Sequence, residues 1–284
     1  MVHRGLLVAA VLAVTLSLAP AARAAGAQNP WPDAAAAYLV RIDGIERWST
    51  NASTRQKPAS LTKILTALLV LESVVPSAEV VVSPRAARAD GARIGLAAGM
   101  RLNAGDLLTA MLLRSANDAC LALAEHVAAT EAEFVKRMNA RGTALGLTDS
   151  HFTNACGFDA PDHYASARDL ALLADAALAQ RAFADIVARE KGTARTRDGR
   201  VFRFDNTNVL IGRVDGARGV KTGWTKAAGR CLVGLAQRGH TRVLVILLGA
   251  PDRWWDAVAM IESAFDDARG GGPPAPMIAA PVPK

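Results

Sequence analysis

From Leu61 onward the apolar residues Leu61, Ile64, Leu65, Leu68 and Leu69 follow the i, i+3, i+4, i+7 spacing of an amphipathic helix. Pro58 fits its first turn, where a missing N–H costs nothing and the fixed φ already suits a helix; the segment is predicted to end near Val75-Pro76. The same period predicts helices through Leu107, Leu108, Met111 and Leu112, capped by Asp106, then from Asp118 towards Val127, and over Glu131 to Leu145 with a stop at Gly146. Further helices are expected over Ala167–Ala179, Phe183–Val187 and, closing the chain, Trp254 to Asp267.

Other stretches read as strands. Ala37–Val40 and Ile45–Trp48 flank Asp43-Gly44, a hairpin signal, and Val201–Phe204 follows a second such signal at Asp198-Gly199. Val80, Val81 and Val82 predict a short buried strand, and Ser83 to Gly105 loops and short pieces. Cys231–Ala236 and Val243–Leu248 are apolar runs joined by Arg238-Gly239-His240, and Gly219–Trp224 is a glycine-flanked edge segment. Thr148 to His163 is expected to be a loop with Phe152 and Phe158 buried. Strands at both ends with helices between them predict a mixed α/β (α+β) fold. Both chain ends would build one antiparallel sheet flanked by helices, with an all-helical lobe inserted.

Composition adds boundaries. The 284 residues are 51% hydrophobic and 21% charged, enough for a substantial core. His3 and Arg4, the apolar run Leu6–Leu18 and Ala22-Arg23-Ala24 predict a secretory signal peptide over residues 1–24, with the mature chain beginning at Ala25. Residues 25–269 are expected to be one domain, and 270–284 a disordered or extended Pro-rich tail. Removing Arg4 and Arg23 lowers the formal charge from +7 to +5. Most basic residues are scattered, so nucleic acid is not an expected partner; Lys191, Arg195, Arg197, Arg200 and Arg203 read as the solvated face of the second hairpin. Cys120, Cys156 and Cys231 lack metal-ligand spacing. Buried thiols are the expectation for Cys120 and Cys231. One disulfide is open to an exported chain, with the pair undetermined.

The candidate chemistry begins at Ser60 and Lys63, three apart, so that one helical turn sets a hydroxyl beside an amine. A serine becomes a nucleophile once a base takes its proton, and a lysine with a lowered pKa can do so. Downstream, Ser115-Ala116-Asn117 breaks two helices and Lys221-Thr222-Gly223 accompanies a strand. S-x-x-K, S-x-N and K-T-G in that order resemble the signature of penicillin-binding proteins and serine β-lactamases. Pro58–Lys63, Ser115–Ala119, Val220–Thr225, Ala228-Gly229, Phe152-x-Asn154-x-x-Gly157 and His163–Asp169 narrow the resemblance. They look like the D-alanyl-D-alanine carboxypeptidases, the low-molecular-weight penicillin-binding proteins of peptidase family S11, from about Ala37 to Phe265. Ala116 stands where many members carry Gly. Many members also add a β-rich domain and a membrane-anchoring helix; here a Pro-rich tail stands instead, and no stable membrane anchor is expected.

That resemblance implies a β-lactamase/DD-peptidase-like fold, no cofactor and no metal. It implies peptidoglycan stem peptides as substrates, β-lactam antibiotics as covalent inhibitors, and a periplasmic or secreted location. Ser60 would be the nucleophile, Lys63 its base and Ser115 the proton relay to the leaving amine. Asn117 would hold the substrate amide and the Lys63 side chain, and Lys221 and Thr222 the terminal carboxylate. Gly223 would let substrate backbone approach, and the backbone N–H groups of Ser60 and Trp224 would form the oxyanion hole. Arg253 is open between carboxylate binding and a surface role, and Trp254-Trp255 is assigned to core packing. His163 is expected to be a structural loop contact and Asp169 a support for a helix start; the histidines lack H-x-x-x-H spacing, and no serine sits in a G-x-S-x-G elbow. The competing functions are a DD-endopeptidase on cross-links, a β-lactamase (for which no Ω-loop glutamate is evident), and a non-enzymatic peptidoglycan-binding protein.

Overall fold

The structure, a computed structural model, describes residues 29–271; the expected signal peptide and all but the first residues of the tail lie outside the described residues. In chain order the elements are β1 (Ala37–Ile42), β2 (Ile45–Thr50), a 3-10 turn (Ala59–Thr62), α1 (Lys63–Ser73), β3 (Glu79–Val81), α2 (Pro84–Ala87) and β4 (Arg101–Asn103). The helices α3 (Ala104–Leu113), α4 (Asn117–Ala128), α5 (Glu131–Ala144), α6 (Ala167–Leu178) and α7 (Arg181–Val187) follow. The chain then returns through β5 (Lys191–Arg195), β6 (Val201–Asp205), β7 (Ala217–Thr225), β8 (Gly229–Arg238), β9 (Thr241–Ala250) and α8 (Arg253–Ala268).

The main sheet runs β2-β1-β9-β8-β7, antiparallel throughout, so both described ends of the chain meet in it as predicted. Asp43 and Gly44 turn the first hairpin with φ of 48° and 85°, the paired positive values that suit a two-residue loop. The run Val243–Leu248 reads as continuous apolar text because β9 is buried on both faces. Val243, Val245 and Leu247 pack with Met260, Ile261 and Phe265 of α8, while Leu244, Ile246 and Leu248 join the large core of the helical lobe. The inserted lobe is not all helical. It carries two small two-stranded sheets, β3–β4 and β5–β6, and in the first Val81 turns outward at 49% exposure instead of being buried.

Several local expectations change. The helix from Pro58 divides into a 3-10 turn and α1, and α1 is buried on all sides from Lys63 to Val70, not along one stripe. Asn103, not Asp106, stands at the N-cap of α3; Asp106 Oδ2 instead accepts the Arg195 N–H at 2.9 Å and ties β5 to that helix. Trp254 packs half-buried against the core as expected, under the Arg253 guanidinium, but Trp255 is 51% exposed; the buried face of α8 comes from Ala257, Met260, Ile261, Ala264 and Phe265. Asp169 does brace the start of α6: its Oδ2 accepts from Asp149 N–H and Ser150 Oγ. The five basic residues of the β5–β6 hairpin are exposed, as expected of a solvated face. Among the described residues, no helix is long and apolar enough to cross a membrane.

Candidate active site

Ser60 sits in the 3-10 turn and Lys63 opens α1, and the three-residue offset brings them together: Lys63 Nζ is 3.0 Å from Ser60 Oγ. The turn is conformationally unusual. Ala59, buried and directly before the nucleophile, has φ +48°, and Ser115 has φ +61°, both in the left-handed region that non-glycine residues seldom occupy. Such positions persist only where the surroundings hold them. Here two glycines leave the room. A Cβ on Gly157 would lie 1.9 Å from the Ala59 carbonyl oxygen, and one on Gly223 would lie 3.0 Å from Pro58 O and 3.2 Å from Ser60 N. Gly223, expected to admit substrate, lines the cleft, and its missing side chain also leaves room for the turn that carries Ser60.

A hydrogen-bonded chain holds the same turn from behind. Thr153 N–H donates to His163 Nδ1 at 3.1 Å, so that nitrogen carries no proton. His163 Nε2–H therefore donates to Thr62 Oγ1 at 2.8 Å, and the Thr62 hydroxyl donates to Ala59 O at 2.9 Å. Burial, with smaller contributions from His151 and Lys57, pushes His163 down to about 4, which keeps the imidazole neutral. The loop contact expected for His163 is thus a brace on the nucleophile.

Lys63 is fully buried, and its ammonium is disfavoured first by burial and then by repulsion from Lys221, holding its pKa well below the ordinary lysine value. Its second partner is the carbonyl of Cys156, at 2.5 Å. Asn117, expected to touch Lys63, gives its Nδ2–H to Asp90 O at 2.6 Å, and its buried Oδ1 has no protein partner. Lys221, also buried, donates to Ser115 Oγ and to Thr222 O, both at 2.9 Å. Burial first, then the Arg253 charge, lowers its pKa to about 7. Thr222 Oγ1 is 2.8 Å from Thr207 Oγ1.

Ser60, Ser115, Asn117, Thr222, Gly223 and Trp224 line one cleft of about 500 Å³, with Lys63 and Lys221 buried behind Ser60 and Ser115. It runs beside β7, the terminal strand of the sheet, so extended peptide can lie along that edge. Trp224 is 64% exposed at its rim. A larger hollow of about 680 Å³ between Arg85 and Phe152 carries no such nucleophile and base, and its Glu125 and Glu131 are engaged by Arg85. Among the described residues no cluster of three or more His, Cys, Asp or Glu could hold a metal ion.

Some participants were invisible in the motifs. Thr207 sat in a segment readable only as loop, and the Cys156 carbonyl has no side-chain signal. Arg253 is no free surface arginine: Nη1 donates to Gly223 O at 2.7 Å and to Cys231 O at 3.3 Å, tying its guanidinium to β7 and β8. Cys120 is no free thiol but is disulfide-bonded to Cys156, while Cys231 is free and buried.

The Peptidase S11 family model, described as D-alanyl-D-alanine carboxypeptidase, matches residues 44–252. The chain is 34% identical over 82% of its length to D-alanyl-D-alanine carboxypeptidase DacF of Bacillus subtilis and 32% identical over 70% to DacC of Escherichia coli. It spans 62% and 52% of those two relatives. The crystal structure of the Streptomyces K15 DD-transpeptidase superposes with a TM-score of 0.76 at 28% identity, covering 82% of this chain and 97% of that one. An evolved putative penicillin-binding protein homolog from Mycobacterium tuberculosis gives 0.77 at 30% identity, covering 82% and 92%. The chain belongs to the D-alanyl-D-alanine carboxypeptidase family, Peptidase S11.

Proposed function

We propose that the protein is a serine-type D-Ala-D-Ala carboxypeptidase that removes the terminal D-alanine from peptidoglycan stem peptides and is acylated by penicillin. The observation that carries this reading is the pairing of Ser60 with Lys63 at 3.0 Å and of Ser115 with Lys221 at 2.9 Å across one cleft beside an open strand edge.

Neutral Lys63 takes the Ser60 proton as Oγ attacks the carbonyl of the penultimate D-alanine. The oxyanion would form between the N–H groups of Ser60 and Trp224; a single donor of this kind is worth about 3–4 kcal/mol in the transition state. The proton that Lys63 took from Ser60 passes through the Ser115 hydroxyl to the leaving amine, so that D-alanine departs and Lys63 is neutral again, while the 2.9 Å hydrogen bond from Lys221 holds Ser115 in place. Lys63 then deprotonates a water that cleaves the serine ester and restores the enzyme. Lys221 and the Thr222 hydroxyl bind the substrate's terminal carboxylate, which confines cleavage to the last peptide bond. Asn117, which lines the cleft, holds the substrate amide.

One second reading has its own support. The structural neighbour from Streptomyces K15 is a DD-transpeptidase, and the same acyl-enzyme yields transpeptidation when an amine, not water, attacks it. A periplasmic or secreted location is supported by the buried Cys120–Cys156 disulfide, since such bonds persist in oxidising compartments.

The test is Ser60→Ala. The variant should lose both D-alanine release from a pentapeptide and covalent labelling by fluorescent penicillin. Surviving D-alanine release would sink the proposal, and product shift from hydrolysis to amide on adding an amine acceptor would favour the transpeptidase.

A further inference from the structure

We propose that the Cys120–Cys156 disulfide is a positioning element of the acylation machinery, and that the enzyme is fully competent only in its oxidised form. The inference rests on the carboxypeptidase reading above. Cys120 lies on α4, three residues after Asn117, and Cys156 lines the cleft beside Ser60. Both are buried, at 0% and 1% exposure. One covalent bond, closing a sequence separation of 36, therefore ties the helix that carries Asn117 to the residue whose carbonyl receives Lys63 Nζ–H at 2.5 Å.

That carbonyl matters to the base. A neutral amine has two N–H bonds and one lone pair, and Lys63 must aim the lone pair at the Ser60 proton. With one N–H held by Cys156 O, rotation about the terminal C–N bond is fixed and the lone pair is left for Ser60. The other restraints on this loop point elsewhere. Asn154 Oδ1 accepts from the N–H groups of Cys156, Gly157 and Phe158, folding the loop on itself. Thr66 Oγ1 donates to Ala155 O and ties the loop to α1. Ala155 N–H donates to Glu131 Oε1 at the start of α5, and Phe152 and Ala155 pack in the same core as α4. The disulfide is the covalent restraint between this loop and α4.

Cleavage of this bond is a two-electron reduction. A small dithiol attacks one sulfur, the mixed disulfide resolves to the oxidised dithiol, and Cys120 and Cys156 each gain a proton as thiols. The acceptor for Lys63 is main chain, so Cys156→Ser keeps the carbonyl and removes only the cross-link.

The experiment measures acylation by fluorescent penicillin in stopped flow, separating the acylation rate constant from the noncovalent binding constant. The proteins are wild type, Cys120→Ser, Cys156→Ser and the double alanine variant, each checked for folding by circular dichroism. In denatured, unreduced wild type one thiol, Cys231, should titrate. The rate constant should fall by between about 10-fold and the ~100-fold that a 1 Å misplacement brings, equally in single and double variants, with noncovalent binding unchanged. A purely structural disulfide would lower the melting temperature and leave the rate constant of the folded fraction intact, which would overturn the proposal. Three titratable thiols in untreated wild type would overturn it as well. If the variants fail to fold, wild type reduced natively with a dithiol and alkylated decides: the same fall supports the proposal, and an unchanged rate constant refutes it. Wild type that forms no penicillin adduct would overturn the carboxypeptidase reading itself and this inference with it.

Discussion

His163 makes the fold sensitive to acid in a window set by its own titration. The perturbation is a fall in pH below neutrality, with His163→Gln as a reference that cannot titrate. In the folded protein burial holds the imidazole at about 4, against 6.5 in an exposed chain. Between these values the unfolded chain binds a proton that the folded chain refuses. The stability tied to neutral His163 is therefore complete above 6.5, declines as the pH falls, and is gone once the pH passes through about 4. A depression of about 2.5 units at ~1.36 kcal/mol per unit gives about 3 kcal/mol, a sizeable part of the ~5–15 kcal/mol that keeps a domain folded. Urea unfolding across this window reads it directly. Carboxylates titrate in both proteins, so the difference between the wild-type and variant curves isolates the imidazole. Acid should cost wild type about 3 kcal/mol more than it costs His163→Gln. Protonation would also set an Nδ1–H against the Thr153 N–H, breaking the chain to Thr62 and Ala59. Parallel stability curves, or an imidazole NMR midpoint near 6.5, would refute the assignment.

Further outcomes follow from the cleft. Gly223→Ala places a methyl 3.0 Å from Pro58 O and 3.2 Å from Ser60 N, forcing strand and turn apart by a few tenths of an ångström. Such overpacking should cost about 1–3 kcal/mol by urea unfolding and slow penicillin acylation by about tenfold or more. Gly157→Ala, with a 1.9 Å approach to Ala59 O and φ +85°, should be much worse and leave little soluble protein on expression. Lys221 holds the substrate carboxylate only while charged, and its pKa is about 7, so kcat/KM should fall by about tenfold per pH unit above that value. Lys221→Arg should move that descending limb towards the guanidinium range of about 12, and an unmoved limb would count against the role.

The sequence made the skeleton legible because its signals are local. Period and turn residues placed β1–β2, β6, α5, α6 and α8 within a residue or two, and three short motifs in order pointed to one cleft. What stayed hidden depends on the main chain or on distant partners. Ala59 and Ser115 give no sign of left-handed backbone, since alanine and serine do not advertise it as glycine does. Gly223 was visible as a motif residue, but whether substrate or the Ser60 turn fills its empty side depends on how the turn packs against β7. The Cys120–Cys156 pair could not be chosen among three cysteines until α4 and the 152–158 loop were brought side by side. Trp255 misled because an aromatic in an apolar helix start resembles core, whereas the helix turns that residue outward.

The two buried lysines share one problem and resolve it differently. Every hydrogen-bond acceptor that meets Lys63 or Lys221 is a neutral oxygen: Ser60 Oγ and Cys156 O for one, Ser115 Oγ and Thr222 O for the other. Burial opposes both ammonium charges, and proximity opposes holding both at once. Lys63 yields the proton, since it bears the repulsion of Lys221 on top of complete burial. Lys221 stays poised near 7, next to a threonine hydroxyl that opens onto the cleft. One residue type thus supplies a base and an anion-binding cation, distinguished by surroundings alone. In the proposed function the missing anion would be the substrate's terminal carboxylate. Binding it would draw charge onto Lys221, and a charged Lys221 would keep Lys63 neutral as Ser60 begins its attack.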